Sequence, residues 1–66
     1  MTERDSYCKV KKTQGDFDRA CDLGYGINLY DCTKDEMRLI IPGSPAYLKF
    51  LLERDGFTIL TEPEYR

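Results

Sequence analysis

A small α+β fold with an antiparallel sheet is predicted by three features of the 66-residue chain. One is a helix marked at both ends, by Ser44 and Pro45 at its start and Gly56 at its stop. The second is the pair of apolar runs flanking that helix, residues 37–41 and 57–60. The third is the alternation of apolar and polar residues over 7–13 and 25–32, the period-two spacing of a strand.

Each element has a local cause. Residues 1–6 are polar and read as a loose end. In 7–13, Cys8 and Val10 share one face while Tyr7, Lys9 and Lys11 share the other. Gln14-Gly15 breaks this strand, and Asp16 can cap a short helix in which Phe17, Ala20 and Cys21 recur at i, i+3 and i+4. Gly24 ends it. The next strand, 25–32, directs Tyr25, Ile27 and Leu29 inward, and Thr33-Lys34-Asp35-Glu36 is a polar turn of hairpin length. Met37, Leu39 and Ile41 form a further inward face.

The best-marked helix follows. The Ser44 hydroxyl can accept a free N–H of the first turn, Pro45 suits a position that needs no N–H, and Gly56 suits a left-handed stop. Helical positions advance about 100° each, which makes Tyr47, Leu48 and Leu51 the centre of the buried stripe, with Phe50 and Leu52 on its flanks. Phe57 and Ile59 are the inward residues of a last strand that Pro63 should end, leaving residues 62–66 as a second loose end. The order strand, helix, strand, strand, helix, strand is that of a ferredoxin-like β-α-β-β-α-β sandwich, with both helices on one face of the sheet. If the first strand were coil, a three-stranded antiparallel sheet with two helices would remain. The chain is expected to be a single domain.

Composition bounds the function. Apolar residues make up 41% and charged residues 33%, and twelve acids against ten bases give a net charge of −2. These are the proportions of an ordinary globular domain. The balance disfavours non-specific binding to nucleic acid or to membrane surfaces, which requires a basic excess. The charged stretch 1–5 does not read as a signal peptide, and a cytoplasmic protein is expected. Cys8, Cys21 and Cys32 are widely spaced and the chain has no histidine, so neither a metal nor any other cofactor is expected. Reduced thiols are the expectation, with one disulfide plus a free thiol as the alternative. Cys8 and Cys21 fall on apolar faces as small core residues, and Cys32 lies beside a turn.

Nothing here carries catalysis. No histidine can serve as general base, no Gly-x-Ser-x-Gly elbow occurs, and no glycine loop is built to cradle phosphate. Gly24-Tyr25-Gly26 reads as a helix stop followed by a strand start. Asp16-Phe17-Asp18 lacks the rest of a calcium loop. The chain therefore reads as a non-enzymatic protein-binding module.

Two surfaces could bind. The predicted topology collects Asp16, Asp18, Asp31, Asp35, Glu36 and Asp55 at one acidic pole, near the bases Lys12, Lys34 and Arg54. Such a pole attracts a basic partner, or imitates nucleic-acid phosphate toward a nucleic-acid-binding protein. The outer sheet face collects Tyr7, Tyr30, Arg38, Ile40 and Leu60, with Lys9 and Lys11, as an apolar-tyrosine contact patch. Small size and acidity suit a stoichiometric inhibitor or regulator, a role filled among viral proteins by phage-encoded inhibitors of the anti-CRISPR kind. A homodimer that pairs two open sheets would also cover the face. The alternative is a single-stranded nucleic-acid-binding domain using Tyr7, Tyr30, Lys9, Lys11 and Arg38. It is disfavoured by the net charge and by the absence of aromatics from 37–41.

Overall fold

The computed structural model describes residues 4–66. Its elements run β1 (Asp5–Lys11), α1 (Gln14–Leu23), β2 (Gly26–Asn28), β3 (Glu36–Pro42), α2 (Pro45–Arg54) and β4 (Glu64–Tyr65). The class is α+β, with one four-stranded sheet in the order β2-β3-β1-β4 and every neighbouring pair antiparallel. The alternative of three strands does not hold among the described residues.

The sheet is built outward from β1 and β3, which pair along seven residues from Asp5↔Pro42 to Lys11↔Glu36. Side chains alternate across a strand, and both strands alternate between buried and half-buried positions. Ser6, Cys8 and Val10 therefore share one face with Met37, Leu39 and Ile41. Ala20 of α1, Leu48 and Leu52 of α2, and Phe57 complete the same core cluster. Both helices thus pack on one face of the sheet.

The helix ends follow local chemistry, with one displacement. Ser44 Oγ accepts the Tyr47 N–H at 3.2 Å and Pro45 opens α2, as read from the sequence. Gly56 follows the Asp55 cap with φ of +81°, a conformation that a Cβ resists. In α1 the cap is Thr13 rather than Asp16. Its hydroxyl accepts the Asp16 N–H at 3.1 Å, so the helix begins two residues before Asp16 and runs for ten residues.

The apolar stripes are also turned from their expected positions. Leu48 and Leu52 are buried and Leu51 is half-buried, whereas Tyr47 and Phe50 stay 52% and 58% exposed. Leu52 is central and Tyr47 peripheral because α2 meets the sheet along its i, i+4 row. In α1, Ala20 is buried and Phe17 packs against the core, but Cys21 points to solvent. All three cysteines are free.

Two strands depart from the sequence reading. β2 covers three residues instead of 25–32, because Asn28 Oδ1 captures the Tyr30 N–H at 2.7 Å and Asp31 turns left-handed at φ of 59°. Side-chain capture of this kind competes with the sheet ladder. Tyr25 and Ile27 still pack against the core, while Leu29 is 47% exposed rather than inward.

The last strand is broken. Ile59 bridges Val10, then both Leu60 and Thr61 donate their N–H groups to Lys9 O, a two-against-one bulge. Beyond Pro63, Glu64 and Tyr65 resume pairing with Tyr7 and Ser6, so Pro63 interrupts this edge without ending it. Asp5, Ser6, Glu64 and Tyr65 thus lie in strands, not in loose ends. Residues 1–3 of the expected N-terminal loose end lie outside the described residues.

Stability of roughly 0.05–0.15 kcal/mol per residue gives a domain of this length only about 3–10 kcal/mol. Leu39 is fully buried, and Leu39→Ala should cost about 2–5 kcal/mol, enough to leave a large unfolded fraction in a urea melt. Cys8 is buried, and desolvation pushes its thiol up to about 11. Native alkylation with iodoacetamide should therefore modify Cys21 and spare Cys8 until the protein is unfolded; equal labelling of both would contradict this burial.

Candidate functional site

The helix-free face of the sheet is set by the outward positions of β1 and β3. Tyr7, Lys9 and Lys11 alternate with the buried residues of β1, and Glu36, Arg38 and Ile40 do so in β3. Asn28 pairs with Arg38 and Gly26 with Ile40. Glu64 pairs with Tyr7 and accepts a hydrogen bond from its hydroxyl at 3.2 Å. Gly26 eases a close approach of the strands, since a Cβ there would lie 3.2 Å from Ile40 O. Ile40 is half-buried on this face.

Tyr7, Asn28, Arg38, Ile40 and Arg66 line a shallow recess of about 220 Å³. The Arg38 guanidinium carbon stands 5.2 Å from the centroid of the Tyr7 ring, within the range of cation–π attraction. Its Nε is buried without a hydrogen-bond acceptor, and Arg38 enters no ion pair among the described residues. A buried donor left unbonded costs about 1–3 kcal/mol, and the Tyr7 contact offsets about 0.5–1 kcal/mol of it. Arg66 reaches Asp5 at 3.4 Å, and Lys9 reaches Glu36 at 3.7 Å.

Three of the five expected sheet-face residues therefore meet: Tyr7, Arg38 and Ile40. Tyr30 does not join them, because β2 ends at Asn28 and Tyr30 projects from the following turn, 80% exposed. Leu60 lies at the bulge opposite Lys9, across β1 from Arg38. Asn28 and Arg66 were not foreseen. Strand alternation already put Asn28 on the outer side, since Tyr25 and Ile27 point inward. Arg66 carried no local signal, because only pairing of β4 across Pro63 brings it to the recess.

The acidic pole is less unified than its six members suggest. Asp16 pairs with Arg19 at 2.9 Å, and Asp18 accepts long contacts from Gln14 at 3.4 Å. Glu36 faces Lys9 on the sheet. Its carboxyl is held below the ordinary range, first by the Thr33 backbone N–H, against desolvation, and then by Lys9. Asp55 is displaced from the group altogether. It accepts the Tyr25 hydroxyl at 2.8 Å and the Arg54 guanidinium at 3.2 Å, and it shares a small depression with Leu23 and Gly24. That is the end of α1 opposite Asp16, about 11–12 Å away along a helix rising 1.5 Å per residue. Asp31 and Asp35 keep exposed side chains without ion pairs among the described residues. A larger opening at the Asp16 end of α1, about 430 Å³, is lined by Lys12, Thr13, Gln14, Phe17, Leu29 and Lys34, and by none of the six acids.

No group of three or more His, Cys, Asp or Glu residues among those described is arranged to hold a metal. No described helix is long and apolar enough to cross a membrane. The chain matches no family model, and neither curated proteins nor solved structures give a significant match.

The Tyr25–Asp55 contact ties the start of β2 to the end of α2, beside an edge-on stack of Tyr25 and Phe57 at 5.6 Å. Burial is the largest single influence on Asp55 and raises it. The Tyr25 hydrogen bond and Arg54 together outweigh burial, so the carboxyl ends below its ordinary range. The Tyr25 hydroxyl is raised, first by burial and then by Asp55. Tyr25→Phe should cost about 1 kcal/mol at pH 7, allowing for partial exposure. Because Asp55 is depressed in the folded state, that deficit is fully present above the ordinary Asp value of about 3.9 and fades as pH falls through the lower native value. Urea melts of both proteins at neutral pH and near pH 2 check this. An undiminished gap at low pH would assign the loss to ring packing instead.

Proposed function

We propose that this chain is a small non-enzymatic protein-binding module that works through the helix-free face of its sheet as an inhibitor or regulator. The observation that carries the reading is the recess beside Ile40, in which Arg38 lies over Tyr7 with an unbonded buried Nε. Tyr and Arg are the residues that most often anchor interfaces. The acidic pole is the weaker candidate, since Asp16, Glu36 and Asp55 are already engaged by the chain's own bases.

We further infer a ferredoxin-like arrangement. The strand order β2-β3-β1-β4, with antiparallel neighbours and two helices over one face, supports it. Three free cysteines are compatible with a reducing, cytoplasmic setting.

The partner should present a largely apolar surface bearing acidic groups. Lys11 and Arg38 are the bases of this face without ion pairs among the described residues, and they call for complementary charge. Two strands of seven residues, one of three and one of two, at about 3.4 Å per residue and about 4.8 Å apart, span roughly 300 Å², well below the ~800 Å² per partner of a standard complex. Binding must therefore concentrate in a few anchors.

The test compares proteins retained from cell extract by the wild-type chain and by two variants. Ile40→Asp should weaken capture by more than tenfold, whereas Asp31→Lys combined with Asp35→Lys should leave it unchanged. Most of the capture should survive about 0.5 M salt, where exposed charges are screened within a few ångströms. Loss on the acid reversals with Ile40→Asp silent would move the function to the acidic pole. Titration with single-stranded RNA or DNA, saturable at low salt and lost on Lys9→Ala and Lys11→Ala, would replace this reading with nucleic-acid binding. A concentration-dependent dimer broken by Ile40→Asp would replace it with self-pairing.

A further inference from the structure

We propose that the recess between Tyr7, Asn28, Arg38, Ile40 and Arg66 is a carboxylate site, which takes an Asp or Glu side chain of the bound protein with Arg38 as its principal partner. This rests on the sheet-face reading above and specifies what anchors it.

Three observations converge on a carboxylate. Arg38 carries a full positive charge with no ion pair among the described residues, and its Nε lacks an acceptor. Guanidinium presents its donors in a planar fork that matches the two oxygens of a carboxylate. The recess is also bounded by groups that suit a side chain of that kind. Asn28 offers an amide and Arg66 a second guanidinium, while Ile40 and the Tyr7 ring supply an apolar wall for the methylene stem.

The surroundings favour a single carboxylate over a phosphate chain. Asp5, Glu36 and Glu64 rim the same face, engaged by Arg66, Lys9 and Tyr7 respectively. Three acids at the rim repel a polyanion that must run across the whole sheet, but they leave room for one charge entering at the centre. The cationic groups that such a backbone would need are already half neutralised. A carboxylate in the recess also offers Arg38 the acceptor that its stacked position lacks. A turn of the guanidinium away from Tyr7 would bring Nε into the shared bond.

The experiment follows the side-chain Nε–H resonances of arginine in the ¹⁵N-labelled full chain by NMR. The probes are acetyl-Glu-Leu-Glu-amide, its Gln-Leu-Gln counterpart and a ten-residue oligothymidylate. An isolated carboxylate contact binds with a Kd on the order of 1–10 mM, so shifts are read over that range. The expected result is a saturable shift of Arg38 Nε–H and of the Tyr7, Asn28 and Ile40 amides with the Glu peptide, and none with the Gln peptide. Arg38→Lys, which keeps the charge and loses the fork, should weaken binding about tenfold, while Lys49→Ala, an exposed base on α2, should change it less than twofold. Absence of a saturable shift overturns the proposal, as does equal binding by Arg38→Lys. Saturation by the oligothymidylate at lower concentration than by the Glu peptide also overturns it, in favour of phosphate.

The peptide arm needs no partner, so it is independent of the capture test. If capture is lost with Ile40→Asp and unaffected by Arg38→Lys, the sheet face remains the binding surface and the carboxylate anchor falls. If the peptide binds but capture ignores both variants, the site stands and the sheet-face function falls.

Discussion

The pairing of β1 with β3 is the constraint on which the rest of the structure depends. Seven consecutive residues of each strand are in register, and a slip of one residue would exchange the two faces. In the observed register Cys8, Val10, Met37, Leu39 and Ile41 all face the helices, where Leu48 and Leu52 cover them. The same register obliges Tyr7, Lys9, Arg38 and Ile40 to face the other way. Core and candidate site are therefore two consequences of one alternation, and nothing can move Arg38 off the open face without unburying Leu39.

Around that pair the structure becomes progressively weaker in pairing. β2 contributes three residues and β4 two, and the chain between Phe57 and Glu64 holds β1 through a bridge, a bulge and the contacts of Thr61 with Cys8 and Lys9. Short and bulged edges discourage edge-to-edge addition of another strand. The proposed binding surface is therefore the face of the sheet and not its rims. Arg66 belongs to that economy: it neutralises Asp5 at the margin and closes one side of the recess from the last residue of the chain.

Charge is distributed with the same logic. Net charge and a count of acids suggest a single acidic pole, yet the folded chain engages three of its six members with nearby cations, while Asp31 and Asp35 stay exposed without ion pairs among the described residues. Asp16 has Arg19, Glu36 has Lys9 and the Thr33 N–H, and Asp55 has Arg54 and Tyr25. A carboxylate matched within its own fold is a poor lure for a partner. The unmatched charge that remains in a partly enclosed position is positive, and it is Arg38.

What the sequence determined by itself is what depends on neighbours a few residues apart. The ends of α2, the left-handed stop of α1 at Gly24, and the alternation of β1 and β3 were legible because capping, φ preference and side-chain period are local. Tyr7, Arg38 and Ile40 could be assigned to one face on the same basis. Only the tertiary structure decided where α2 seats its apolar arc, because Leu52 and Tyr47 compete for the core through contact with the sheet. It alone carried β4 past Pro63, since pairing with Ser6 and Tyr7 joins positions more than fifty residues apart. It alone removed Tyr30 from the outer face, through the hydrogen bond that Asn28 makes to the backbone. The recess around Arg38 was beyond sequence reasoning for the same reason: its walls come from β1, β2, β3 and the C-terminal residue, and only long-range pairing brings these together.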